Sequence, residues 1–315
     1  MNNRVFGIIG VGADKANWNA DFAGNPKKHL GEFVASPFCL KYAYRNHWNL
    51  NDLDVLFFKR YKEKADKKKV TFVPMSLDDN LDKILEVAKD EREIQNHVFN
   101  CIDVACFGGA FASKKFNKSY TGAIQFGYGV NKFEEAEAVR DSLLSPFQNS
   151  KKEDSKQTTL GSRAVLTEGH FFYDFIVNPL AYKNLKDADD SFKGLSQEDY
   201  KAFKEASLQC VNSLNSVSKK GCYNEFAMFV ELKEGSKKYL GNLISKVQYY
   251  KDEDEKGVIN LTELEKDLKA IEGEIQAIEI YHNPTDTIVK IGELENLTIK
   301  NILNEEKKVD FMELI

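Results

Sequence analysis

Apolar and polar positions divide the chain into short segments of two different periods. Residues 4–11 (Arg-Val-Phe-Gly-Ile-Ile-Gly-Val) form an apolar run that predicts a first strand, with glycines permitting close approach of backbone or ligand. A loop rich in Asn, Asp, Gly and Pro is expected over residues 13–26. Ser36-Pro37 then opens a helix to about Trp48, with serine as cap and proline in the first turn. Lys41 and Arg45, four residues apart, lie side by side on it. Residues 54–60 and 69–74 read as a strand pair joined by a charged turn over 61–68. Residues 77–96 give the clearest amphipathic helix, with Leu81, Ile84, Leu85 and Ala88 on one side.

Two apolar runs that stop on glycine follow, at residues 101–109 and 121–127, and both read as strands. The link between them carries Lys114, Lys115, Phe116, Lys118 and Tyr120. Cationic loops with exposed aromatics suit a flexible polyanion, since ammonium groups neutralise phosphates and ring faces accept bases. Residues 145–160 are polar and aperiodic, which predicts a mobile loop inside the domain. Strands are expected at 163–177, 223–232 and 274–281, and a helix capped by Ser196 runs to about Leu214. No internal repeat is visible. Irregular alternation with hairpins favours an α+β sandwich around an antiparallel sheet over a doubly wound parallel one.

Composition adds a substantial core and no membrane-spanning run of eighteen apolar residues, so a cytoplasmic protein without membrane contact is expected. The N-terminus lacks the basic and apolar regions of a secretory signal. Cys39, Cys101, Cys106, Cys210 and Cys222 show no Cys-x-x-Cys spacing and read as reduced thiols without metal. In a strand, Cys101 and Cys106 would point to opposite faces. Net charge is −5, yet it is segregated: from Lys251 onward there are 17 acidic and 8 basic residues, and before it 36 basic and 32 acidic. Segregated sign speaks about partners. The acidic end fits either a cationic neighbour or a solvated tail.

Candidate chemistry is sparse. Gly7-Ile-Ile-Gly-Val-Gly lacks the helix that a dinucleotide turn needs, so no cofactor is expected. Asp14, Asp21, Glu32 and His29 are the early candidates for a metal-dependent nuclease, at irregular spacing that fits solvated loops better. Lys41 and Arg45 fit either a groove contact or a solvated face. Residues 215–221 (Asn-Ser-Val-Ser-Lys-Lys-Gly) fit a phosphate cradle through Ser218, Lys219 and Lys220, or a plain polar turn.

In order, five segments resemble the backbone subunit of type I-B CRISPR-associated Cascade complexes, the Csh branch of the DevR-like family. They are Asn17-Trp-Asn-Ala-Asp, the helix with Lys41 and Arg45, Asp103-Val-Ala-Cys-Phe-Gly, Gly122-Ala-Ile-Gln-Phe and Asn215-Ser-Val-Ser-Lys-Lys-Gly. The likeness runs from Arg4 to about Leu232. Ala105 stands where the family pattern has arginine, and Trp18 and Ala20 replace proline and glycine. The resemblance implies an RRM-like (ferredoxin-like) antiparallel palm, helices on one face, and a long hairpin or thumb. The palm would be residues 1–103 and 161–315 and the thumb 104–160. It implies a non-catalytic subunit that oligomerises along CRISPR guide RNA beside other Cascade subunits and meets target DNA through the guide. Asn17, Asn19, Lys41, Arg45, Lys219 and Lys220 would line the RNA groove. Lys114, Lys115, Gln125 and Phe126 would lie on or below the thumb, with Arg163 and His170 on the returning strand. Phe126 is equally well read as a core aromatic. A metal-dependent endoribonuclease using Asp14 and Asp21, and an assembly module without RNA, are the alternatives.

Overall fold

The structure, a computed structural model, describes residues 2–66, 69–86, 88–114, 116–148 and 158–308. The chain starts with β1 (Val5–Ala16), passes a small hairpin of β2 (Lys28–His29) and β3 (Glu32–Ala35), and enters α1 (Pro37–Leu50). A hairpin of β4 (Tyr61–Asp66) and β5 (Lys69–Pro74) leads to α2 (Leu77–Leu85), α3 (Glu91–Phe99) and α4 (Ile102–Phe107). A second hairpin, β6 (Gly108–Ala112) and β7 (Asn117–Thr121), precedes β8 (Ile124–Phe126), β9 (Gly129–Asn131), β10 (Ala138–Gln148) and β11 (Thr158–Val177). Then come α5 (Lys183–Ala188), α6 (Gln197–Gln209) and β12 (Cys222–Leu232). The last part holds β13 (Gln248–Lys251), β14 (Gly257–Asn260), α7 (Thr262–Ala270), β15 (Ile275–His282), β16 (Thr287–Lys290), β17 (Leu297–Asn301) and β18 (Asn304–Lys308).

β1 sits at the centre of the main sheet, antiparallel to β11 on one side and to β12 on the other. The order is β15-β12-β1-β11, with β8 and β9 both pairing on the far side of β11. The region around β1 is thus antiparallel, as the irregular alternation of elements predicts. Glycine has a local role here: a Cβ on Gly7 would lie 2.2 Å from the Met228 carbonyl oxygen and 2.3 Å from the Phe175 ring. The close approach expected of this strand is made by its own neighbours rather than by a ligand.

Alternation along β1 feeds two cores. Val5, Ile9, Val11 and Ala13 join α1, α4 and α6 through Leu40, Tyr44, Trp48, Val104 and Phe203. Phe6 and Ile8 face the other way, onto a cluster that includes Tyr249, Ile259, Leu264, Leu268 and Val289. These belong to α7 and to the small sheet β13-β14-β16. The expectation of helices on one face is therefore corrected, because α7 packs on the side opposite α1 and α6. No helix among the described residues is long and apolar enough to cross a membrane.

Several boundaries move for identifiable reasons. Residues 77–85 and 91–99 form two separate helices, the second opened by Asp90, which caps α3 by accepting from Glu93 N. The run starting at Cys101 is helical, not a strand. A short, wholly buried apolar run has no face that distinguishes the two periods. Residues 54–60 are irregular, and the hairpin uses Tyr61–Asp66, where the charge pattern predicts a turn.

Residues 104–107 and 124–131 belong to the main body, since α4 is buried and β8 and β9 pair with β11. Pairing of β11 with β1 ends at Leu166, and residues 158–165 pair with β10 as a two-stranded ribbon. Of the expected mobile loop, residues 145–148 and 158–160 are strand, and 149–157 lie outside the described residues.

Candidate nucleic-acid interface

Three segments meet at the far end of β1. Asn17 N donates to Ser218 O at 2.9 Å, joining the loop after β1 to the turn before β12. Lys219 Nζ donates to Asn17 O at 2.7 Å and also to Trp18 O, and lies 5.3 Å from the Trp18 ring centre. Asn19 Oδ1 accepts from Ser36 N at 2.7 Å, and Cys39 Sγ donates to Trp18 O, so the start of α1 is tied to the same loop. Ser36 Oγ caps that helix through Cys39 N.

The loop tip is held by Asp21, whose Oδ1 accepts from Ala23 N and Asn25 N, both at 2.9 Å. These bonds, the Asn25 amide first, hold its carboxyl below the usual range. Asp21 is thus a turn cap, and the tip it shapes presents a fully exposed Phe22. Asp14 is exposed beside Lys15. Among the described residues no group of three or more His, Cys, Asp or Glu is placed to hold a metal.

On α1, Leu40, Ala43, Tyr44 and Trp48 face the core. The complementary stripe at i, i+3, i+4 and i+7 is Phe38, Lys41, Tyr42 and Arg45, alternating ring and cation. Phe38 and Tyr42 are exposed, and Tyr42 stacks on Phe58. Lys41 lies over the Phe107 ring, and burial, helped by Arg45, pushes its ammonium down to about 8. No carboxylate among the described residues pairs with it. A half-buried cation without a counter-charge would be favoured in its charged form by any anion brought against it.

Arg45 differs from its neighbour. Its Nε donates to Asp103 Oδ2 at 2.9 Å, and Asp103, fully buried, also accepts from Leu56 N and Phe57 N. Arg45 therefore anchors α1 to the 54–58 segment. Ala105 is buried in α4, its carbonyl accepting from Tyr182, so the departure from arginine there is matched by a filled core.

Other expected site residues fall elsewhere. Asn17 is buried, its amide donating to Gly24 O and Ala164 O, while Asn19 is half-exposed. Lys220 is exposed and Ser218 half-buried. Lys114 is exposed on the β6–β7 turn, and Lys115 lies outside the described residues. The aromatics of that turn point inward: Phe116 packs against Phe111, and Tyr120 donates to Gln95. Gln125 bonds Gly122 O. Phe126 is a core aromatic among Tyr44, Phe107, Phe175 and Phe203, so its ring is not free to stack on a base. Arg163 is half-buried opposite Asp141 at the root of the ribbon. Phe22, Phe38 and Tyr42 were missed, although the core spacing of α1 already leaves Phe38 and Tyr42 on its outer side.

His170 is likewise engaged inside the fold. It is buried between Glu225, 2.8 Å from Nδ1, and Glu168, 3.1 Å from Nε2, and it stacks on Tyr249 at 3.7 Å. Glu225 is the extra residue of a bulge where β12 shifts register against Gly10 and Val11, which turns its carboxylate toward the imidazole. Burial alone would lower the His170 pKa, but Glu225 and Glu168 outweigh it and raise it to about 9. Glu168 is held at about 2 by His170, against its own partial burial and with help from Lys251. His170 thus stabilises fully below its ordinary value of 6.5, and that stability is lost as pH rises through 9. The Glu168 contribution is present above 4.5 and lost as pH falls toward 2. Thermal unfolding from pH 6 to 10 is expected to show an alkaline loss in the native chain that is absent in His170→Gln.

Comparisons with known proteins give this geometry a family. A chain of a CRISPR RNA-guided surveillance complex, pre-nicking, is similar with a TM-score of 0.51 and 13% identity, over 89% of this chain and 92% of that one. A chain of another CRISPR RNA-guided surveillance complex gives 0.48 and 14% over 89% and 88%. No curated protein sequence matches. Residues 3–268 match the family described as CRISPR-associated protein Cas7, and the chain belongs to that family.

Proposed function

We propose that the chain is a non-catalytic subunit that binds CRISPR guide RNA and forms, in many copies, the backbone of a Cascade surveillance complex, of type I-B by the Csh-like order of its motifs. One observation carries the reading. Lys41, a half-buried cation without a carboxylate, lies in a stripe with exposed Phe38 and Tyr42, beside the loop that presents Phe22. Cations that track phosphates and rings that accept any base hold a single strand without reading its sequence. Guide bases then remain free to pair with target DNA.

The order β12-β1-β11-β8, with α1 after β1 and α6 between β11 and β12, supports an RRM-like palm. The ribbon of residues 138–148 and 158–166 takes the place of the thumb, and other Cascade subunits would meet the assembled row of copies. Purification from a native host is expected to bring short, repeat-derived RNAs of uniform length with the protein; protein free of nucleic acid would contradict the reading. Phe22→Ala is expected to weaken short single-stranded RNA binding by about 1–3 kcal/mol, with unchanged thermal stability, in a fluorescence titration.

A further inference from the structure

Two further charged patches lie away from the interface on α1, one before β1 and one on the sheet face opposite α1. Just before β1 lies a cleft of about 680 Å³ whose cations are Arg4, Lys183, Lys186, Lys233 and Lys237, against the carboxylates of Asp187 and Glu234. Asp187 is paired with Lys183, and Glu234 accepts from Asn2. Arg4 lies 4.2 Å from the Tyr239 ring centre, and its buried Nε has no hydrogen-bond partner among the described residues. Lys186 and Lys237 are exposed, with no carboxylate partner among the described residues. The cleft is therefore a positively charged hollow with an unsatisfied donor.

At the other end of β1, on the sheet face opposite α1, lies a cluster of the opposite sign. The turn between β13 and β14 is Asp252-Glu-Asp-Glu, and Asp252 Oδ1 accepts from Asp254 N and Lys256 N, which leaves Glu253, Asp254 and Glu255 exposed. Exposed Glu134 and Glu135 border the same hollow as this turn. Lys251 pairs with Glu255 of the turn at 3.8 Å and with Glu168, which lies opposite Asp14 on β1, so Glu253 and Asp254 carry the turn's unpaired charge among the described residues. Arg4 and Asp14 are separated by roughly 30 Å at about 3.3 Å per residue.

We propose that the cationic cleft receives the acidic 252–255 turn of a second copy, so that copies join head to tail. Charge complementarity selects this occupant over nucleic acid, because the chain itself displays a preformed acidic turn at the other end. Two different patches on one molecule make a contact that does not close between two copies and so repeats. The idea deepens the reading of a multi-copy backbone, but the contact itself does not require RNA.

The test is a charge swap on the full chain, read by sedimentation velocity at low and high salt. Lys186→Glu with Lys237→Glu reverses the cleft; Glu253→Lys with Asp254→Lys reverses the turn. Each double variant alone is expected to self-associate about tenfold or more weakly than the native chain, and an equimolar mixture of the two to regain assembly. Binding of an RNA long enough for one copy is expected to be unchanged in both. Association that survives in either variant, or no rescue on mixing, overturns the contact, as does a parallel loss of short-RNA binding in the cleft variant. Salt-sensitive association with no RNA binding by the native chain keeps the contact and removes the RNA reading.

Discussion

Asp103→Ala is expected to destabilise the fold by about 3–5 kcal/mol, because it strands a buried partner charge. Asp103 has no exposed surface and receives Leu56 N at 2.8 Å, Phe57 N at 3.0 Å and Arg45 Nε at 2.9 Å. Alanine leaves two backbone amides and a guanidinium without their acceptor, under Phe57 and Phe107. Since the cost of a buried unmade hydrogen bond exceeds the net gain of a made one, the loss exceeds what deleting a surface ion pair would give. Asp103→Asn keeps one acceptor and should lose less. Urea unfolding at constant slope measures both; a midpoint shift worth less than about 1 kcal/mol for alanine would contradict the anchoring role.

The second large effect concerns Lys41. Its ammonium sits near 8 in the free protein because burial, with Arg45 adding, disfavours its charge. A phosphate placed against it favours the charged form, so RNA binding takes up a proton in the alkaline range. Affinity is therefore expected to be greatest below pH 8 and to fall as pH rises above it. Lys41→Gln is expected to bind about tenfold more weakly at pH 7, to reduce the salt slope by about 0.7, and to lose most of this pH dependence. Native chain and variant falling in parallel from pH 7 to 9.5 would place the phosphate elsewhere.

Legibility followed locality. β1, α1 and α6 were readable because their signals lie within one element: an apolar run, Ser36-Pro37, and Ser196 with Asp199 in a capping box. Asp90 carried a similar signal that a continuous apolar pattern overrode. The small sheet β13-β14-β16 was not legible, since its pairs are four residues long and one of them joins strands thirty residues apart. At the interface, cation positions were legible but their partners were not. Lys41 and Arg45 look alike in sequence, and only the fold brings Asp103 to one of them. For Phe126 spacing leaves a core and an RNA reading equally open, and for His170 it does not reveal that Glu225 already holds the imidazole.

Ultraviolet cross-linking of the native RNA-bound assembly, read by peptide mass spectrometry, tests the central claim most directly. The account predicts nucleotide adducts on Phe22, on Phe38 or Tyr42, and on peptides carrying Lys41 and Lys220. Adducts confined to the opposite side of the sheet, around Tyr249, Tyr250 and the 252–255 turn, would contradict it.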